Sequence, residues 1–243
     1  ADENGFERKR NFMIQISNLS KKYGETVVFS DLNYTFENTC IYGLVGRNGA
    51  GKTTLLNILS NYDKNYTGVI SIDRKKMNKV DYLDMPVAYA MDQPSFFNEL
   101  TIYENLLLIA SSRKIKKQEA FDKIERILDG LGLKKYENYS PLELSKGTMQ
   151  RLNNACAMIQ EEKITIFDEP FSGLDPVQMK LLENVIVEFH KKEKGIYIIS
   201  SHDIECLQNV CDKCLLLHNG QIREINMEEV DREEIAKILS EGE

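Results

Sequence analysis

Residues 46–53 have the sequence GRNGAGKT, which fits the phosphate-binding loop pattern G-x-x-x-x-G-K-[ST]. An apolar run at 40–45 precedes the loop, and a run with the composition of a helix follows at 54–59. This order matters because glycines let backbone N–H groups turn inward around phosphate oxygens, and a helix N-terminus favours negative charge. A glycine turn that only caps a helix is the alternative, but it does not require the preceding strand. The stretch therefore predicts a nucleotide-binding α/β domain.

Two side chains at the end of the loop are expected to contact the nucleotide. Lys52 can reach the β- and γ-phosphates, and the Thr53 hydroxyl can hold Mg²⁺. The other half of such a site is predicted where the run 164–167, apolar except for Thr165, is followed by Asp168 and Glu169. Asp168 would hold Mg²⁺ directly or through water, and Glu169 could orient or deprotonate an attacking water. A solvated acidic turn is the alternative for these two carboxylates.

Length and charge limit the classes of function. The 243 residues suffice for one α/β domain with a large core, and 42% hydrophobic with 28% charged residues is the ordinary balance of a soluble protein. No apolar run approaches the roughly eighteen residues needed to span a membrane. The net charge of −7 argues against broad binding to duplex DNA, which needs a basic face, so we expect no nucleic-acid partner.

Signals for location point to the cytoplasm. Residues 1–11 are polar, resemble a flexible arm and lack the apolar core of a signal peptide. The five cysteines are odd in number and unevenly spaced, which fits free thiols in a reducing compartment. Cys206, Cys211 and Cys214 could suggest a metal site, but no second cysteine pair or spaced histidine cluster completes four ligands. We therefore expect thiols that pack on the last helix and strand.

Hydrophobic periodicity predicts strands that alternate with helices, an order that favours a parallel sheet. Strands are expected at 12–16, 32–36, 69–72, 87–91, 164–167 and 196–199, and helices at 54–59 and 177–192. The block at roughly 95–160 is helical, with a capping box of Thr101 and Glu104, and we interpret it as a subdomain inserted into a single domain at 12–226. Residues 227–243 are expected to form a short acidic helix.

From about Phe12 to Gln221, the chain resembles the ATP-binding-cassette ATPases, whose motifs occur here in the family's order. The resemblance implies that Tyr23 stacks on adenine and that the phosphates are bound by Gly46, Asn48, Gly49, Gly51, Lys52, Thr53 and Thr54. It implies Mg²⁺ at Thr53, Gln93 and Asp168, and catalysis by Glu169, His202 and Gln93. It further implies that the signature residues Ser145, Lys146 and Gly147 serve a partner's site, and that Asp175 contacts the partner.

The ordered set of motifs is more specific than any single residue in it. Taken alone, Tyr23 could be a surface aromatic, Gln93 could mark an ordinary strand exit before a proline, and His202 could be a polar residue at a helix N-terminus. These ordinary alternatives stay open for each residue, and the order of the motifs argues against them jointly.

The signature segment departs from the family's usual Leu-Ser-Gly-Gly-Gln. Residues 144–148 read LSKGT, so Lys146 replaces the first glycine and Thr148 replaces the last residue. Ser145 and Gly147 remain, and the resemblance assigns these two to the γ-phosphate of a partner's nucleotide. A hydroxyl donor, a backbone N–H and a helix N-terminus suffice physically for that contact. Lys146 adds a positive charge beside it.

The resemblance implies a P-loop NTPase core with a mostly parallel sheet, an N-terminal antiparallel β subdomain and an inserted α-helical subdomain. It also implies the ATPase subunit of a membrane transporter, with ATP and Mg²⁺ as cofactors. The partners would be a second ATPase subunit in a head-to-tail dimer and a separate polytopic permease. The chain would then lie at the cytoplasmic face of the membrane.

Two other classes of function stay open at this point. One is a soluble cassette ATPase in translation, repair or cofactor assembly. Translation-type members carry two cassettes in one chain, and repair-type members insert long coiled coils for which residues 51–144 leave no room. The other is a nucleotide-dependent assembly scaffold that hydrolyses little ATP, and Glu169 and His202 argue against it.

Overall fold

Two β-sheets and six α-helices form the part of the chain that the computed structural model describes, residues 12–37, 39–80 and 84–226. The strands are β1 Met13–Tyr23, β2 Thr26–Glu37, β3 Cys40–Val45, β4 Thr67–Ile72, β5 Lys75–Lys76, β6 Val87–Ala90, β7 Ile164–Phe167, β8 Ile196–Ser201, β9 Lys213–His218 and β10 Gln221–Ile225. The helices are α1 Lys52–Leu59, α2 Ile102–Ser112, α3 Lys117–Gly130, α4 Lys146–Met158, α5 Pro176–Glu193 and α6 Glu205–Gln208. The arm predicted at 1–11 and the acidic helix predicted at 227–243 lie outside the described residues.

The larger sheet has its strands in the order β10-β9-β3-β8-β7-β6. Its neighbours pair in parallel, except that β10 is antiparallel to β9. Every residue of β3, β7 and β8 is buried, because both faces of this sheet are covered. On β3, Ile41 and Val45 belong to the core formed with α2 to α5, whereas Tyr42 and Leu44 belong to the core formed with α1 and the smaller sheet. Burial on both faces explains the continuous apolar runs in the sequence.

The smaller sheet is antiparallel, in the order β2-β1-β4-β5. The strands predicted at 12–16 and 32–36 are present, but β1 continues to Tyr23 and β2 already begins at Thr26. Register shifts along β1 after Ile16 interrupt the alternation of apolar and polar residues, so the periodicity ends before the strand does. The extra length carries Tyr23 to the cleft described below.

The helices α2, α3 and α4 lie in sequence between β6 and β7, which are paired neighbours in the larger sheet. They therefore form an insertion into the α/β core. The predicted capping box opens α2: the Thr101 hydroxyl oxygen accepts from the Glu104 N–H at 3.2 Å, and the Glu104 carboxylate accepts from the Thr101 N–H at 2.8 Å. The mostly parallel core, the antiparallel N-terminal sheet and the helical insertion confirm the predicted fold class.

A buried lysine connects the helical insertion to the rest of the chain. The side chain of Lys123 on α3 is only 2% exposed, and its Nζ lies 2.6 Å from a Glu161 carboxylate oxygen and 3.4 Å from one of Glu193. Glu161 follows α4, and Glu193 ends α5, so one ammonium group joins three helices. Burial lowers the pKa of Lys123 to about 8, and the charge of Glu193 acts in the opposite direction.

Replacing this lysine is expected to destabilise the fold. Lys123→Met keeps most of the apolar stem but leaves Glu193 and Glu161 without their cation, and breaking a buried pair in this way costs about 3 kcal/mol of unfolding free energy. The measurement is urea unfolding followed by circular dichroism. The matched control is Lys117→Met, the same change at an exposed position of α3. Equal unfolding midpoints for both variants would contradict a structural role for the Lys123 cluster.

Candidate nucleotide-binding and catalytic site

A cleft of about 520 Å³ lies at the carboxyl ends of β3, β7 and β8, beside the turn that joins β1 to β2. Its lining residues are Tyr23, Thr26, Val28, Arg47, Asn48, Gly49, Gly51, Lys52, Thr53, Thr54, Asp92, Glu169, Ser172 and His202. Sequence reasoning missed Thr26 and Val28, because they belong to the part of β2 for which no strand was predicted. It also missed Asp92, whose only signal was its place beside Gln93.

The phosphate loop joins β3 to α1 and depends on glycine for its shape. Gly51 has a φ of 101°, and a Cβ at this position would lie 2.7 Å from Val28 Cγ1, so a larger residue does not fit. Lys52 begins α1, is buried, and its Nζ donates to the Gly46 carbonyl oxygen at 2.6 Å. The first N–H groups of α1 have no acceptor within the helix, so the loop and helix start can receive phosphate oxygens.

Asp168 follows β7 and is completely buried. The Ser200 hydroxyl donates to its Oδ1 at 2.5 Å, and the Thr53 side chain hydrogen-bonds to the same carboxylate. Burial raises the pKa of Asp168, while the hydrogen bonds from Ser200 and Thr53 act in the opposite direction. A buried carboxylate in contact with a threonine hydroxyl is a pair of oxygen ligands of the kind that Mg²⁺ prefers.

These oxygen ligands fit Mg²⁺ only as part of a larger set. In the described ranges, no group of three histidine, cysteine, aspartate or glutamate side chains could hold a metal ion. Mg²⁺ usually keeps water and binds substrate phosphates beside one or two carboxylates. Thr53 and Asp168 would therefore supply the protein's ligands, and the nucleotide and water would supply the others.

Glu169 lies between two basic side chains of the cleft. Its Oε1 is 3.5 Å from Lys52 Nζ, and its Oε2 is 3.0 Å from His202 Nδ1. The backbone at Glu169 has a φ of 49°, in the left-handed region, and its N–H donates to the Ser200 hydroxyl oxygen at 2.9 Å. A strained backbone at the end of a buried strand, directed at a cleft, is typical of a functional residue. Glu169 and His202, two of the residues that the resemblance assigns to catalysis, thus lie in contact at the cleft.

Tyr23 forms one wall of the cleft, and contacts with Asp63 and Lys21 hold its side chain in position. Its hydroxyl donates to Asp63 Oδ2 at 3.1 Å, and Lys21 Nζ lies 4.5 Å from the centre of its ring. Lys21 and Asp63 also form an ion pair at 2.7 Å, and the lysine donates to the Asn65 carbonyl oxygen. Tyr23 is 52% exposed, so an aromatic face remains free to stack on a base.

The signature residues do not line this cleft. Ser145 is the N-cap of α4 and is exposed, as is Lys146. A Cβ at Gly147 would lie 2.9 Å from the Gly173 carbonyl oxygen, so the signature segment packs on the loop 172–175. That loop has Ser172 in the cleft at one end and Asp175, the N-cap of α5, at the other. The chain thus places its signature beside its own site rather than in it.

Gln93, a predicted site residue, does not line the cleft. Gln93 is exposed beyond β6, and its neighbour Asp92 lines the cleft in its place.

Cys206 lies in α6 and Cys214 in β9, as expected of packing thiols, but Cys211 lies between these elements. Burial raises the pKa of Cys206 and of Cys214 to about 12, so both thiols stay protonated near neutral pH.

The described helices include none that is long and apolar enough to cross a bilayer. A sequence model for the family described as "ABC transporter" matches residues 29–172. An uncharacterised ABC transporter ATP-binding protein of Methanocaldococcus jannaschii is 32% identical over 208 residues, which cover 86% of this chain and 75% of that protein.

Relatives with named transport systems and a solved structure are also similar to this chain. The bacitracin transport ATP-binding protein BcrA of Enterococcus faecalis is 30% identical, over 91% of this chain and 71% of the relative. The tungstate uptake system ATP-binding protein TupC of Peptoclostridium acidaminophilum is 30% identical, over 87% of this chain and 97% of the relative. A solved ATP-binding subunit of an ABC transporter has a TM-score of 0.81 at 27% identity, over 91% of this chain and 92% of that one.

Proposed function

Because this chain belongs to the ABC transporter family as an ATP-binding subunit, an ATPase coupled to transport, we propose that it works as a head-to-tail dimer with shared active sites. Each ATP lies between the phosphate loop of one copy and the signature segment of the other. One observation carries this proposal: the cleft holds Lys52, Glu169 and His202, whereas Ser145 and Gly147 lie outside it on an exposed helix start. A single copy therefore has only part of the site.

Each residue of the cleft has a defined task in this proposal. Tyr23 stacks on adenine, and the loop N–H groups and Lys52 neutralise the phosphates. Thr53 and Asp168 would hold Mg²⁺, which when bound would offset phosphate charge. Glu169 accepts a proton from the water that attacks the γ-phosphorus, and ADP leaves from the opposite side.

His202 and Gln93 complete the reacting site of one copy. His202 contacts the Glu169 carboxylate at 3.0 Å, so it can orient the base and reach the γ-phosphate. Gln93 follows the cleft residue Asp92, and a movement of this segment would bring its amide to Mg²⁺ and the attacking water. In this proposal Gln93, which is exposed in the described structure, enters the site during the cycle.

The partner copy supplies the remaining contacts to the γ-phosphate. The Ser145 hydroxyl, the Gly147 N–H and the start of α4 form an anion-binding end of a helix. Lys146 lies over Gly173 with its stem and adds positive charge at the same surface. Asp175 and the loop 172–175 connect this surface to the chain's own cleft, which supports their role as dimer contacts.

A membrane permease is the other partner that we propose, and the chain would lie at the cytoplasmic face of the membrane through it. The named relatives serve bacitracin transport and tungstate uptake, which supports a transport role over a soluble cassette ATPase in translation, repair or cofactor assembly. The transported substrate would be recognised by the permease, since the cleft described here has the chemistry of a nucleotide site.

Mixing two inactive variants tests the shared site. Lys52→Ala damages the chain's own site, and Ser145→Arg damages the partner's, so a mixed dimer has one intact site and one doubly damaged site. Each variant alone is expected to be inactive, and an equal mixture should recover at most about a quarter of the wild-type ATPase rate, because half of the dimers are mixed and each has one intact site of two. The measurement is phosphate release, with mixed dimers verified by differently tagged chains.

Two outcomes would contradict the shared site. One is an absence of recovery in verified mixed dimers. The other is full activity of Ser145→Arg alone, which would mean that the altered signature does not contact the nucleotide.

A further inference from the structure

The side chain of Thr148 contacts the signature serine directly. Its Oγ1 lies 2.9 Å from Ser145 Oγ, and its N–H donates to the same Ser145 oxygen at 3.3 Å. Thr148 is 4% exposed, whereas Ser145 is exposed at the start of α4. A buried hydroxyl thus lies behind the exposed hydroxyl that the shared site requires.

A buried arginine occupies one acceptor site of this hydroxyl and leaves its proton available to donate. Arg151 Nη2 donates to Thr148 Oγ1 at 3.2 Å, and Nη1 donates to the carbonyl oxygens of Leu131 and Gly132 at 2.7 and 3.2 Å. A guanidinium can only donate, so Thr148 Oγ1 must be the acceptor in this contact. A hydroxyl that accepts from a cation becomes a better donor, because hydrogen bonds in a chain polarise one another.

We propose that Thr148 is a positioning residue whose hydroxyl donates a hydrogen bond to Ser145 Oγ and thereby leaves the Ser145 hydroxyl proton free to donate to the γ-phosphate of the partner's ATP. A serine oxygen has two lone pairs and one proton. The N–H and the hydroxyl of Thr148 fill both lone pairs, so the proton of Ser145 is directed to the exposed side. The relay Arg151–Thr148–Ser145 makes the serine a donor, which is what a phosphate requires.

This inference rests on the shared-site proposal and explains one departure of the signature. The family's usual pattern has glutamine where this chain has Thr148, and glutamine has no single atom that can accept from Arg151 and donate to Ser145 at once, as a hydroxyl can. The chain therefore sets the direction of the Ser145 hydroxyl proton through a different side chain. Its effect appears only where Ser145 meets a second copy, because Ser145 does not line the cleft of its own chain.

The test compares ATP-dependent dimerisation of hydrolysis-deficient chains, all carrying Glu169→Gln, by analytical ultracentrifugation. Thr148→Val removes the hydroxyl at nearly constant volume, and we expect it to raise the dimer dissociation constant roughly 10- to 100-fold, the effect of losing a hydrogen bond to a charged group. Thr148→Ser restores the hydroxyl and should recover dimerisation. ATP affinity of the monomer should be the same in every variant.

A double-mutant cycle separates positioning from folding. Ser145→Ala should weaken the dimer as Thr148→Val does, and the combination should be no weaker than Ser145→Ala alone, because the threonine acts only through the serine. Thr165→Val makes the same change at a buried position of β7 and should leave dimerisation unchanged, while thermal unfolding reports any loss of stability in either valine variant.

The possible failures are distinguishable. Thr148→Val with wild-type dimerisation, or with an effect that persists undiminished beside Ser145→Ala, overturns the relay and leaves the shared site in place. Ser145→Ala with wild-type dimerisation overturns the shared site, and the relay with it.

Discussion

Glu169→Gln is expected to lower the rate of ATP hydrolysis roughly 10²- to 10⁴-fold, the contribution of a general base, while ATP binding persists. The amide keeps the shape of the side chain but cannot accept the proton of the attacking water. Phosphate release measures the loss of turnover, and equilibrium titration with ATP measures binding.

The same change should make the ATP-bound dimer accumulate, because the step that consumes ATP is blocked. Size-exclusion chromatography with ATP and Mg²⁺ would show the dimer. The matched control is Glu188→Gln, at an exposed position of α5, which should hydrolyse ATP at the wild-type rate. A Glu169→Gln chain that turns over normally would show that another group is the base, and one that stays monomeric with ATP would count against the dimer.

Lys52→Ala should weaken ATP binding by about 2–4 kcal/mol, or roughly 30- to 700-fold in dissociation constant. The lysine is the cation buried beside Gly46 at the base of the loop, and its removal leaves the phosphates without that charge-assisted contact. Fluorescence titration or calorimetry with ATP measures the change. Lys75→Ala on the exposed edge strand β5 controls for the loss of a lysine elsewhere. Equal affinity for wild type and Lys52→Ala would refute the assignment of the loop.

The sequence predicted the local elements of the site well, because each depends on neighbouring residues. The strand 40–45, the loop 46–53 and α1 follow from one glycine pattern and two apolar runs. The capping box of Thr101 and Glu104 was predicted from a spacing of three residues, and the structure confirms both hydrogen bonds. The strands β7 and β8 were recognised because burial on both faces makes them mostly apolar, with Thr165 as the exception inside β7.

Features that depend on contacts distant in the chain could not be predicted from one sequence. The bulges of β1 hid the strand that carries Tyr23, since they interrupt its periodicity. The left-handed backbone of Glu169 depends on packing around the end of β7, and a glutamate in the sequence does not indicate a positive φ. The contact of Thr148 with Arg151 required the first turn of α4 to be placed. Which predicted site residues touch nucleotide remains a prediction.

Complete burial of β3, β7 and β8 has a mechanical consequence. The phosphate loop, Glu169 and His202 extend from the ends of three adjacent strands, whose pairing and dense packing hold their spacing rigid. Strands packed this rigidly cannot supply the movement that the ATP cycle requires. In the proposed ATP cycle, displacement would then fall to segments outside these strands, such as the exposed stretch around Gln93. On the shared-site proposal, the signature of the partner copy approaches the phosphate while Glu169 keeps its position at the end of β7.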